Sequence, residues 1–136
     1  MAVDFEFKSK YNVDDLLSIM RILREPGGCP WDMEQTHESI RNDIIEETYE
    51  VVEAIDNSDK ELLCEELGDV LMQVVFHAEM ERENGSFDFS DVADGVCKKL
   101  IERHPHVFGD TEVSSTDEVL SNWDAIKSKS KKRKTV

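Results

Sequence analysis

Residues 60–83, KELLCEELGDVLMQVVFHAEMERE, decide the fold. At the 100° step of an α-helix, counted from Leu62, the residues Leu63, Leu67, Val70, Leu71, Met72, Val74, Val75, Phe76 and Ala78 spread from roughly 80° to 320°. A helix so patterned is buried on most of its circumference. Glu66, Asp69 and Gln73 nevertheless fall within roughly 60° of one another, as a narrow polar stripe through the apolar span. A carboxylate in such surroundings is costly unless its charge is compensated. This segment holds little Lys or Arg, so a bound cation is the natural compensator. Gly68, just before Asp69, costs roughly 1 kcal/mol relative to Ala inside a helix. Two causes compete for it: close approach of backbone or substrate, and tight packing of another helix.

Upstream, a second helix is expected from about Thr36 to Asp56, with Asn57 and Ser58 breaking it before Lys60. Its apolar stripe is Ile44, Ile45, Thr48, Val51, Val52 and Ile55; Asp43, Glu46, Glu47, Glu50 and Glu53 occupy the rest. Glu47 and Glu50 are three apart, as are Glu66 and Asp69, so each pair shares one helix face. The short break between the helices predicts an antiparallel hairpin that can bring the pairs opposite each other. Four carboxylates without thiolate or imidazole form a hard-oxygen set, suited to Mg²⁺ or Mn²⁺ rather than Zn²⁺. Acids three apart are also common on solvated helix faces, and for the second helix alone that plainer explanation is the stronger. An ion-pair network with Arg41 or Arg103 is a further alternative. A di-iron site would need two Glu-x-x-His units, and only Glu34 with His37 fits.

The rest of the chain extends the helical pattern. A first helix is expected over Val13–Arg24 behind the N-cap Asn12, stopped by Pro26, Gly27, Gly28 and Pro30 in a loop that holds Cys29, Trp31 and Asp32. A fourth runs from Ser90 to before Pro105. Ser115 and Glu118 form a capping box for a fifth, through about Lys127. Nothing alternates with the period of a strand, so the fold class is all-α, about five helices around the central hairpin. Residues 1–126 are expected as one domain, followed by a flexible basic tail at residues 127–136.

Charge and cysteines narrow the function. The 136 residues carry a net charge of −15. The tail holds six basic groups and no acid, which leaves ten basic against 31 acidic groups elsewhere, a balance of −21. Such a body repels nucleic acid, but it can bind a nucleotide when divalent cations stand between carboxylates and phosphates. Cys29, Cys64 and Cys97 are far apart and form no CxxC pair; a reducing compartment, the cytoplasm, is expected. No apolar run near the N-terminus is long enough for a membrane span.

Cationic and aromatic groups lie downstream. Lys99 and Arg103 are four apart on one face of the fourth helix, a pair suited to a polyphosphate, although Lys98 beside them would equally make a solvated basic patch. Trp123 could stack a base, but a lone Trp on a short helix is more often core. His104 and His106 flank Pro105 at a helix end, where structural or C-capping roles are expected.

Together GCPWD at 28–32, EETYE at 46–50, EELGD at 65–69, RHPHVF at 103–108 and NWDAIK at 122–127 resemble the MazG nucleotide pyrophosphohydrolases. Each string is weak by itself; their order and spacing across Leu16–Lys127 are specific. The resemblance implies an all-α enzyme that cleaves a nucleoside triphosphate to a monophosphate and pyrophosphate. It implies a homodimer with a four-helix core and Mg²⁺ held by Glu47, Glu50, Glu66 and Asp69, Mn²⁺ serving as a substitute. Its substrate contacts fall on Lys99, Arg103, Trp123 and Lys127, and Glu46 is a candidate base or outer-shell residue. Some members carry a lysine where this chain has Leu62; Lys60 stands two residues away. Tandem-domain members hold two such modules, and this chain has one. The expected chemistry is metal-assisted in-line attack of water, with Lys99 and Arg103 steadying the departing pyrophosphate. The competing expectations are a narrow dUTP- or dCTP-type enzyme and a non-catalytic helical metal-binding module.

Overall fold

The computed structural model describes residues 3–134, with side chains through residue 129. The described residues form seven helices and no strand. These are α1 (Val13–Arg24), α2 (Pro30–Glu34), α3 (Arg41–Asp56), α4 (Lys60–Asn84), α5 (Phe89–Arg103), α6 (Pro105–Phe108) and α7 (Thr116–Lys134). They fall into two compact units, Met1–Phe89 and Ser90–Val136.

In the first unit α1 opens with a reciprocal cap. Asn12 accepts from the Asp15 amide while the Asp15 side chain accepts from the Asn12 amide. The expected α3–α4 hairpin is present and is the most extensive helix pair of the chain. Its turn is Asn57–Asp59: Ser58 adopts the left-handed backbone (φ 52°), and the Asp59 carboxylate caps α4 by accepting from Leu62 N at 3.1 Å. At the far end Gly85, with φ 75°, stops α4 in the left-handed conformation that glycine adopts without strain.

The core lies at the C-terminal half of α4. Val75, Phe76 and Met80 pack with Met20 of α1 and with Ile40, and Leu16, Leu17, Leu71 and Phe89 close around them. Arg24 fastens the same end. Its guanidinium is almost fully buried, donates Nε and Nη2 to the Glu83 carboxylate at 2.8 and 3.0 Å, and reaches backbone carbonyls of Asp32 and Gln35. The Trp31 ring stands edge-on to Phe76, with centroids 6.4 Å apart, and so anchors α2 to the core.

Four details differ from the sequence expectation. The GCPWD loop contains the short helix α2, started by Pro30 at its first turn. α3 begins at Arg41 rather than Thr36, because Thr36 and Ser39 bond each other's amides through their hydroxyls, a local alternative to helix. The apolar stripe of α3 is core on one side only; Ile45 is 53% exposed and Val52 and Ile55 are open too, because α4 covers just one flank. Helical backbone in α7 runs to Lys134 instead of ending near Lys127. Residues 127–134 of the expected flexible tail are thus helical in backbone, while residues 135–136 and the side chains from residue 130 onward lie outside the described residues.

Candidate functional site

The hairpin brings the two acid pairs together. One carboxylate oxygen from each of Glu47, Glu50, Glu66 and Asp69 lies within 4.8 Å of the others, the only such grouping of three or more His, Cys, Asp or Glu among the described residues. Glu66 is buried, 8% exposed; Glu47 and Asp69 are half-buried, and Glu50 is open to solvent. No ion pair reaches any of the four among the described residues. The cluster instead competes for protons. A hydrogen bond that the protonated Glu66 carboxyl donates to Glu50, then burial, then the charges of Glu50, Asp69 and Glu47 push the Glu66 carboxyl up to about 7. Burial, followed by the charges of Glu50 and Asp69, raises Glu47 as well. One oxygen each of Glu47 and Glu66 is buried without a hydrogen-bond partner. Four converging carboxyl groups, two of which carry a buried oxygen without a partner, match the donor set of a hard divalent cation.

Two neighbours were visible in the sequence. Glu46 is exposed on α3 and stands outside the cluster. Gln73, one turn beyond Asp69, is buried at 4% exposure with Oε1 unpartnered. At Gly68 an added Cβ would meet no atom within 4 Å, so no helix among the described residues packs tightly there, and an approach by substrate or by a second subunit is what the glycine leaves room for.

The second unit carries the other expected contacts. Lys99 is exposed on α5, one turn before the half-buried Arg103; Lys98 beside them is engaged by Asp94 at 2.7 Å. On α7 Trp123 and Lys127 come together, with Nζ 6.0 Å from the indole centroid. His104 caps the end of α5 as expected, its Nδ1–H donating to the Leu100 carbonyl at 2.6 Å.

One cluster of titratable groups escaped the sequence reading. His37 and His77 meet Nδ1 to Nδ1 at 2.7 Å, with ring planes 5° apart and centroids 5.0 Å apart. That separation is the hydrogen bond plus two ring radii, so the imidazoles lie edge to edge in one plane and share one proton. His37 Nε2 also bonds the Glu81 carboxylate, which accepts from Ser86 Oγ at 2.6 Å. These bonds, that of Ser86 first, hold the Glu81 carboxyl below its ordinary range, whereas burial and then His37 push His77 below the usual imidazole value. The spacing of Gln73, His77 and Glu81, four apart, continued the polar stripe and was the available signal.

Comparison with known proteins bears on this geometry. The model of the MazG nucleotide pyrophosphohydrolase domain matches residues 35–108, a span that includes all four carboxylates, Lys99 and Arg103. The nucleoside triphosphate pyrophosphohydrolase/pyrophosphatase MazG of Thermotoga maritima is 50% identical over 121 residues, 89% of this chain and 46% of that protein. The nucleoside triphosphate pyrophosphohydrolase of Escherichia coli K12 is 49% identical over 123 residues, 90% of this chain and 47% of that protein. The chain thus spans less than half the length of either relative. Among solved structures, a mazG-related protein from Thermotoga maritima aligns with a TM-score of 0.69 at 29% identity, over 85% of this chain and 99% of that one.

Proposed function

This chain belongs to the MazG nucleotide pyrophosphohydrolase family, and from that premise we propose that it hydrolyses nucleoside triphosphates between the α and β phosphates, releasing a monophosphate and pyrophosphate. The observation that carries the reading is the convergence of Glu47, Glu50, Glu66 and Asp69 within 4.8 Å on one hairpin. These residues would hold Mg²⁺, with Mn²⁺ as a substitute. A divalent ion there offsets the charge of carboxylates and phosphates and lowers the pKa of a water.

The protein's own groups supply the rest. Glu66, raised to about 7 in the ion-free cluster, would release its proton where cation charge takes the proton's place, so ion binding would expel protons. Glu46, exposed and next to Glu47 in the chain, serves in this reading as a base for the attacking water or as an outer-shell residue. Lys99 and Arg103 offer charged donors to the departing pyrophosphate. Trp123 presents a face to the base, with Lys127 as a further phosphate contact. The open flank of α3, where Ile44, Ile45, Thr48, Tyr49 and Val52 line a groove, supports assembly as a homodimer. The compartment in this reading is the cytoplasm, where nucleotide pools reside; no described helix is long and apolar enough to cross a membrane.

A panel of NTPs and dNTPs with Mg²⁺ tests the reaction: monophosphate plus pyrophosphate is the expected product pair, and diphosphate plus phosphate would refute it. Asp69→Ala should abolish turnover, and a variant with retained activity would sink the site assignment. Light scattering of the eluting protein at twice the 15.6 kDa chain mass is the result expected of the dimer.

A further inference from the structure

Residues 35–39 form a compact link into α3. Thr36 and Ser39 bond each other's amides through their hydroxyls, Ser39 Oγ also donates to Gln35 Oε1 at 2.8 Å, and the Ile40 and Arg41 amides donate back to the Thr36 and Glu38 carbonyls. A segment bonded so fully to itself moves as one piece. Three fastenings tie it to α1 and α4: Arg24 Nη1 on the Gln35 carbonyl, Ile40 in the core, and His37 on His77 and Glu81. Of the three, the His37 fastening alone titrates near neutral pH.

That fastening has room for one bridging proton. Glu81, which accepts from Ser86 Oγ at 2.6 Å and from the Asn84 side chain, takes the His37 Nε2–H. His37 Nδ1 is then a bare acceptor, and His77 fills it with its own Nδ1–H at 2.7 Å. A first additional proton, on Nε2 of His77, leaves this bond in place, and the Glu81 carboxylate offsets its charge. A second has only His37 Nδ1 to go to. There it sets the N–H groups of two cations against each other, which breaks the bond.

The surroundings leave that second charge without a partner. Glu81 already offsets the first. Arg24 of α1 is a cation committed to Glu83, and on α4 Glu79 pairs with Arg82. Glu38, next to His37 in the chain, is exposed, so solvent screens its charge. A cleft of about 300 Å³ borders His37, with Arg24, Glu38, Glu83 and Asn84 among its walls; water reaches the link there, and a freed ring has room to turn. Burial, and then His37, hold His77 below the usual imidazole value, so the second proton of the pair arrives on the acid side of that range.

We propose that His37, His77 and Glu81 are an acid-sensitive latch: with one bridging proton it holds residues 35–39 on α4, and with both imidazoles charged it lets the segment go. α3 begins at Arg41, directly beyond the link, so the state of the latch sets how firmly the arm bearing Glu47 and Glu50 is rooted.

Hydrogen exchange of the ion-free full chain, corrected for the intrinsic rate at each pH, tests the latch. The Ile40 and Arg41 amides are the reporters, and the Val75 and Met80 amides are the core reference. From pH 7.5 to pH 5 the reporters should lose about tenfold more protection than the core, the effect of one hydrogen bond to a charged group. His77→Phe keeps a ring that neither donates nor titrates. It should show this loss already at pH 7.5 and add little on acidification. Reporter protection that stays constant in wild type, or falls only in step with the core, overturns the latch, as does a His77→Phe that responds to pH as wild type does. Should His77→Phe fail to fold, the ring ¹⁵N resonances of wild type decide instead. The latch requires the more acidic protonation step of the pair to coincide with the reporters' loss of protection, and a loss at a different pH refutes it.

Discussion

The two halves of α4 belong to one unbroken helix and live by opposite rules. From Leu71 onward the helix is enclosed, with Val75, Phe76 and Met80 in the core, His77 bonded to His37, and Glu81 and Glu79 paired. Before Leu71 it is loosely covered: Leu67 is half exposed, Gly68 borders open space, and Glu66 and Asp69 face two more carboxylates with no basic partner. The charged and imidazole groups of the enclosed half are paired, Gln73 Oε1 being the polar atom left over there, whereas the acids of the open half are left to be satisfied by something else. The closed half holds the fold, and the open half holds the candidate site.

The sharpest way to break the contrast is to damage the closed half. Phe76→Ala removes a ring that Trp31 and Arg24 pack against and should cost about 3–5 kcal/mol of stability, read from urea unfolding, with the four acids chemically intact. Next in size is a gain at the open half. Mg²⁺ at a hundred times its dissociation constant should stabilise wild type by about 2.7 kcal/mol, and Asp69→Asn should lose that gain, which a thermal melt with and without Mg²⁺ would reveal. An equal gain in both proteins would remove Asp69 from the ligand set.

The pH response should then separate the halves by sign. Glu66, raised to about 7, holds its proton more tightly folded than unfolded. Ion-free stability should therefore decline as pH rises from the ordinary Glu range through about 7, and saturating Mg²⁺ should flatten that slope. His77 and Glu81 act the other way. His77, held below its usual value, takes a proton more readily when unfolded, so stability falls as pH drops through the ordinary imidazole range. Glu81, also lowered, adds a loss at still lower pH. Denaturation midpoints across pH 4–9, with His77→Asn removing the upper part of the acid limb, test both signs. The smallest effect belongs to Gly68→Ala. With nothing within 4 Å of the new methyl, the gain in helix propensity should stabilise the chain by roughly 0.4–1 kcal/mol, and a simultaneous loss of turnover would show that substrate or a second subunit approaches there.

What the sequence disclosed follows the same divide. The hairpin and the grouping of Glu47, Glu50, Glu66 and Asp69 were legible because both depend on spacing within helices and on one short turn. Glu66 and Gln73 declared themselves as polar residues in an apolar span, and both are buried. The His37–His77 bond was not legible. It joins residues 40 apart in the chain, and no local periodicity reports such a meeting. Helical pattern also marked Ile45, Val52 and Ile55 as core, yet pattern records only that a face is apolar and not which chain covers it. The start of α3 was missed because Thr36 and Ser39 settle it with side-chain bonds that a helical pattern does not anticipate.

Ile40, 1% exposed and standing immediately before α3 without a side-chain cap, has a mechanical consequence. Together with the Val75–Met80 segment it clamps the α3–α4 hairpin at one end, while the Asn57–Asp59 turn at the other end is exposed. The hairpin is a cantilever, and the four acids sit along its beam rather than at its root. A small flexure between the two arms would change the gap between Glu47–Glu50 and Glu66–Asp69, so in the proposed function the stiffness of the beam would set which cation radius the gap accommodates.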